Sequence, residues 1–197
     1  MGAQNTRRSI ICRRGFTLLE LLVSAGVLSL VSVIIAQVVF TTVRLSARTE
    51  LMKEMKQIGG ISMTSLKRMV QNAKEITSEC DGTPKSQLRL LNFDGGETTL
   101  TCVKDDLYTD YDIYRIASIS STLETTAYLT SGNVSLVTSG GVAGCGLANS
   151  EDASIYFTCT DTSSVKVVFR FRQRNSNTGI FEGVQETFES VTSLRNK

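Results

Sequence analysis

Between Glu20 and Arg44 the chain runs for 23 residues, Leu21 to Val43, without a charged side chain, and that run limits the available folds more than any other feature. As a helix it extends roughly 35 Å at about 1.5 Å per residue, enough to cross a hydrocarbon layer about 30 Å thick. A buried helix of a soluble domain rarely goes this far without a polar stripe, so a membrane span is the expectation. Farther back, Met1 to Gly15 holds Arg7, Arg8, Arg13 and Arg14 and no acidic residue. Four arginines against none keep that end in the cytoplasm and send the remainder outward.

Glu20 does not fit an ordinary export signal, which follows its basic region with a purely apolar stretch and a small-residue cleavage site. A carboxylate at the mouth of a spanning segment costs up to roughly 2.5–3.5 kcal/mol unless it stays at the interface or finds a partner. A twin-arginine reading of Arg7-Arg8 fails because Arg13 and Arg14 interrupt the apolar region such a signal needs.

After the apolar run, Leu45, Met52, Met55, Leu66, Met69, Val70, Ala73 and Ile76 recur at helical spacing among charged residues, predicting an amphipathic helix that ends near Thr77. Gly59-Gly60 marks a bend or soft spot in it unless packing absorbs the pair. From Glu79 onward, short alternating runs rich in Thr, Ser, Val and Tyr predict antiparallel strands. Leu88–Phe93 and Glu97–Val103 flank the turn Asp94-Gly95-Gly96. Asp112–Ser120, Thr122–Thr130 and Ser154–Thr158 are weaker candidates. Ser164–Gln173 alternates most clearly, with Val165, Val167, Phe169 and Phe171 on one face. A last strand is expected over Ile180–Leu194.

Arg13-Arg14-Gly15 followed by Phe16-Thr17-Leu18-Leu19-Glu20-Leu21-Leu22 resembles the processing signal of type IV prepilins and type II secretion pseudopilins. The resemblance covers Arg13 to about Val43 and extends beyond only as architecture, an α+β pilin-like fold in which a long N-terminal helix packs on an antiparallel sheet. It implies cleavage by a prepilin peptidase between Gly15 and Phe16, N-methylation of Phe16, and assembly with other pilin or pseudopilin subunits on an inner-membrane platform. The implied organisation is a cytoplasmic leader, 1–15; a transmembrane and filament-core helix, 16–43; an amphipathic helix, 44–77; and a β-rich head, 78–197. The implied location is the cytoplasmic membrane, crossed once, and then a periplasmic or cell-surface filament. Phe188 to Asn196 resembles the last strand of low-abundance members, which favours a minor subunit.

The physics of Glu20 stands beside that resemblance. Cleavage would place an ammonium on Phe16 in or near the bilayer, and the carboxylate of one subunit can pair with the ammonium of its neighbour, so Glu20 reads as an assembly register. Ala25, Ser29, Ser32 and Ala36 lie along one face and let helices approach closely. Many relatives carry a proline where this chain has Gln37, so the softening that proline brings is not expected here.

Cutting after Gly15 also removes four arginines and Cys12, turning the net charge of +2 to −2 and the five cysteines to four. Cys80, Cys102, Cys145 and Cys159 then make an even set in an oxidising compartment, which predicts two disulfides. Three pairings are open; Cys80 with Cys102 and Cys145 with Cys159 is the favoured one, since each pair flanks a local strand-turn stretch. No C-x-x-C spacing suggests a metal. Asp105, Asp106, Asp110 and Asp112 could ligate calcium, as a loop of some pseudopilins does, but the spacing is not that of an EF-hand and a solvated loop is favoured. Arg170, Arg172 and Arg174 share a strand face, where cross-strand pairs with Glu182, Glu186 or Glu189 are expected over an acidic partner.

With no histidine, the chain cannot build a Ser-His-Asp or Cys-His nucleophile. No Walker motif is present, near-zero charge argues against nucleic acid, and neither a cofactor nor an enzymatic role is expected. The alternative to a filament subunit is a signal-anchored surface binding module that never polymerises.

Overall fold

The computed structural model describes residues 16–107, 112–121, 125–173 and 185–195. The long helix α1 spans Leu18–Gln71. Two compact units divide at Ser46 and Ala47. In the first, every described residue from 16 to 46 is exposed, so the apolar surface of this part of α1 is uncovered among the described residues.

The second unit begins with the rest of α1 and continues, among the described residues, through nine strands. β1 (Glu75–Ile76), β2 (Gln87–Leu91), β3 (Glu97–Lys104), β4 (Tyr114–Ser120) and β5 (Thr126–Tyr128) form one antiparallel sheet in chain order. β8 (Ser164–Gln173) is the centre of a second sheet. β6 (Val134–Leu136) and β7 (Ile155–Asp161) share one of its edges, and β9 (Gln185–Ser193) takes the other.

Each sheet contributes one apolar face, as alternation along a strand requires. Leu88, Leu90, Leu100 and Ile116 come from the first, and Ile155, Phe157, Val165, Val167, Phe169 and Phe171 from the second. With Met55, Leu66 and Val70 of α1 they build one core. Backbone bonds tie the sheets together as well: Lys85 and Phe157 exchange two at 2.8 Å, and the Tyr114 N–H donates to Ser135 Oγ at 3.0 Å.

The helix ends at Gln71, not near Thr77. Ala73 and Ile76 are buried as their spacing suggested, but the Lys74 N–H donates to Leu91 O at 2.7 Å and residues 75–76 join β2 as a strand. A sheet edge offering backbone partners outweighs another helical turn here. Asp94-Gly95-Gly96 does form the β2–β3 turn; Gly95 has φ +83°, a conformation that favours glycine.

Gly59-Gly60 does not break the helix, and the two glycines differ. A Cβ on Gly59 would meet Phe188 Cζ at 2.1 Å, because the Phe188 ring sits directly against the helix backbone. That ring also stacks on Phe169, with centroids 5.2 Å apart. Around Gly60 a Cβ meets nothing within 4 Å. Gly59→Ala is therefore expected to lose about 1–2 kcal/mol despite its better helix propensity, whereas Gly60→Ala gains up to about 1 kcal/mol. Urea unfolding of the two variants checks this opposition of sign.

The disulfides join Cys80 to Cys159 and Cys102 to Cys145, correcting the favoured local pairing. Cys80 precedes β2 and Cys159 lies in β7, where the Gly82 N–H donates to Cys159 O at 2.9 Å. Cys102 lies in β3 and Cys145 in the loop before β7. Each bond thus reaches from the first sheet to the second sheet or its loop, whereas local pairing would have linked segments on the same side.

Candidate functional site

The first site is the start of α1. Phe16 and Thr17 lie outside the helix; Gly15 lies outside the described residues. The Glu20 N–H donates to Thr17 Oγ1 at 3.3 Å, and the Leu21 N–H donates to Thr17 O at 3.2 Å. Thr17 is therefore the N-cap, and Thr17-x-x-Glu20 has the spacing of a capping box. That signal is visible in the sequence, but the charge anomaly of Glu20 overshadowed it.

Among the described residues the Glu20 carboxylate has no hydrogen-bond or ion-pair partner, and it stands at the positive end of the helix dipole. A cap at Thr17 keeps Phe16 and its amide out of the helix, where an extended-chain protease can reach them. Thr17→Val, which keeps the shape and removes the acceptor, is expected to slow cleavage after Gly15 several-fold, and Thr17→Ser to retain it. A time course of chain shortening with a co-expressed prepilin peptidase reads the difference.

Farther along, the hydroxyls in the apolar run are satisfied by their own helix. Ser24 donates to Leu21 O, Ser29 to Gly26 O and Ser32 to Leu28 O, while Thr41 and Thr42 donate to Val38 O. Such back-bonding lets a helix enter hydrocarbon without stranded polar groups. It also leaves the stripe Ala25, Ser29, Ser32, Ala36 low and flat. The helix passes through Gln37 unbroken, and at the end of the run the Arg44 guanidinium lies 4.1 Å from the Phe40 ring centroid. Leu18–Gln71 contains an uncovered stretch long and apolar enough to cross a membrane.

Two of the four acidic candidates in the second unit, Asp105 and Asp112, are engaged by basic side chains. Asp105, 0 % exposed, accepts from Arg115 Nη1 at 2.6 Å and from the Leu107 N–H at 3.1 Å. Arg115 also donates from Nε and Nη2 to Thr130 O and lies 4.1 Å from the Tyr128 ring centroid. Asp112 pairs with Lys104 at 2.6 Å, Asp106 is exposed, and Asp110 lies outside the described residues. Among the described residues no group of three metal-ligating side chains is assembled.

Burial alone would raise the Asp105 pKa, but the Arg115 hydrogen bond, the Leu107 N–H and the Arg115 charge together hold it below the usual carboxylate value. A depressed folded pKa stabilises fully above the unfolded value of about 3.9, and that contribution is lost as pH falls through the folded value. Urea midpoints measured from pH 6 down to pH 2 are expected to fall in that acid window. Asp105→Asn is expected to be less stable by about 3 kcal/mol at pH 7, since it strands Arg115, and to show a shallower acid slope.

The arginine face also departs from expectation. Arg170 donates to Glu151 O at 3.0 Å and Ala153 O at 2.9 Å, and Arg172 to Gly141 O at 2.9 Å. Both clamp the loop between β6 and β7 through its carbonyls. The register explains why Glu186 is not their partner: it opposes Phe171 on the inner face and reaches Lys56 at 3.8 Å. Glu189, on the outer face, pairs with Lys166 at 2.8 Å. Arg174 and Glu182 lie outside the described residues.

No curated protein and no solved structure matches the chain. Residues 11–36 match the family model described as the prokaryotic N-terminal methylation motif, and that motif at the head of a long apolar helix fits a type IV pilin-like protein.

Proposed function

We propose that the chain is a minor structural subunit of a type IV pilus or type II secretion pseudopilus. A prepilin peptidase cuts between Gly15 and Phe16, and the amino group of Phe16 is methylated. The chain then waits in the inner membrane with its N-terminus inside and enters a filament through the apolar part of α1. There the Glu20 carboxylate meets the Phe16 ammonium of a neighbouring subunit and sets the axial register.

The observation that carries this reading is the methylation motif at 11–36 placed on the uncovered helix. The unpartnered Glu20 carboxylate and the self-satisfied hydroxyls agree with a helix that ends among other helices. A minor role rests on the resemblance of Phe188 to Asn196 to the last strand of low-abundance members.

Expression in a host with a complete pilus or pseudopilus system, followed by shearing, tests the proposal. A filament subunit is recovered with the sheared filaments, and a minor one at a small fraction of the major subunit. A chain that is exposed on the cell but absent from the sheared fraction is an anchored binding module instead.

A further inference from the structure

Near the C-terminal end of α1, the inner side of the first sheet changes character. The registers Leu88↔Leu100↔Ser118 and Leu90↔Thr98↔Ser120 put Thr98, Ser118 and Ser120 on the same face as the core leucines. Apolar side chains buried there would stabilise the fold more than these hydroxyls do. Positions that break a core pattern in this way are where function or strain is expected. The facing part of the helix is polar too, with Ser65, Arg68 and Asn72. The two surfaces do not close on one another, and a groove of about 400 Å³ lies between them, with the half-buried Met69 on its floor above the fully buried Leu90.

The groups along it are free to bind. Ser118 is only 9 % exposed, yet its hydroxyl has no partner among the described residues. Asn92 Nδ2 donates to Thr98 Oγ1 at 2.9 Å, which leaves Asn92 Oδ1 as an acceptor and the Thr98 hydroxyl as a donor. Ser62 and Thr64 return their hydroxyls to helix carbonyls, but Ser65 does not. Among the described residues Arg68 has no acidic partner and no carboxylate lines the groove. Carbonyls at the helix end are already taken, Arg68 O by the Asn72 N–H and Gln71 O by the Arg195 N–H, so the guanidinium sets the sign of the site.

From this geometry we infer that the groove binds a carboxylate-bearing polyol, most simply a hexuronic acid unit of an acidic saccharide. Its carboxylate meets Arg68, its hydroxyls exchange hydrogen bonds with Asn92, Thr98, Ser118 and Ser65, and its C–H face rests on the half-buried Met69. Phosphate recognition usually draws on several cations or a nest of backbone N–H groups, whereas here one cation stands beside hydroxyl and carboxamide walls. The volume lies within the usual range for small-ligand clefts, about 300–1,000 Å³. The inference does not rest on the filament reading, because a head that stayed anchored and unassembled would bind in the same way.

The test is saturation-transfer NMR on the full chain in detergent micelles, titrated with galacturonate, galactose and inorganic phosphate. Galacturonate is expected to saturate, galactose to bind about tenfold more weakly, and phosphate not to displace galacturonate. Arg68→Gln, at an exposed position, is expected to bring galacturonate down to the galactose level with an unchanged thermal midpoint. Ser118→Ala is expected to weaken both sugars. No saturable galacturonate binding, equal binding by the Arg68→Gln chain, or displacement by phosphate would each overturn the inference.

Discussion

Replacing Glu20 with glutamine is expected to remove the chain from filaments while leaving cleavage after Gly15 intact. The carboxylate is the sole charge on the first turns of an otherwise apolar, uncovered helix, and it has no partner among the described residues. In water it needs none. In the filament we propose, helices pack together and exclude solvent, and the Phe16 ammonium of one subunit would need a carboxylate of another to match it. Removing one member of such a pair costs about 3–5 kcal/mol, which corresponds to a loss of incorporation on the order of a hundredfold or more. Glutamine keeps the length, the helix propensity and the backbone cap from Thr17, so loss of the charge is what the variant reports. Quantitative immunoblots of sheared filaments against membranes measure it, and normal incorporation of the Glu20→Gln chain would rule out the pairing.

The second large effect is expected from the disulfides. Cys80–Cys159 spans 79 residues and Cys102–Cys145 spans 43, so each restrains a long loop of the unfolded chain. Loop-closure entropy assigns such a bond on the order of 4 kcal/mol. Against the 5–15 kcal/mol typical of a domain, losing both is close to losing the fold. The paired variant Cys80→Ala with Cys159→Ala is expected to unfold at a markedly lower urea concentration. Peptide mapping without reductant is expected to recover Cys80 linked to Cys159 and Cys102 linked to Cys145. Recovery of Cys80 linked to Cys102 would contradict the way the two sheets are joined.

Where one physical signal dominated a segment, the sequence was a sufficient guide. Ser164–Gln173 alternates except at Val168, which is buried on the opposite face with Tyr156 and Ala153, and β8 has those bounds because Val165, Val167, Phe169 and Phe171 line the core. The apolar run and the motif matched at residues 11–36 were legible for the same reason, since each is a local pattern in the sequence. What escaped was set by distant partners. β6 is three residues long and buried throughout, so it shows no alternation to read. Residues 75–76 followed a helical pattern but were claimed by β2. Cysteine pairing, the clamp of Arg170 and Arg172 on loop carbonyls, and the Arg115 partner of Asp105 all depend on which sheet lies over which. Gly59 looked like a weakness in the helix because the aromatic ring that needs its missing side chain stands far along the chain, at Phe188.

The central claim is that residues 11–36 form a processing signal that a peptidase reads before the chain assembles. Intact-mass spectrometry of the chain purified from cells that express a prepilin peptidase tests it most directly. The expected product is a chain that begins at Phe16 and carries one additional methyl group on its N-terminal amine. A chain that retains residues 1–15, or one cut elsewhere in the apolar run, would contradict it.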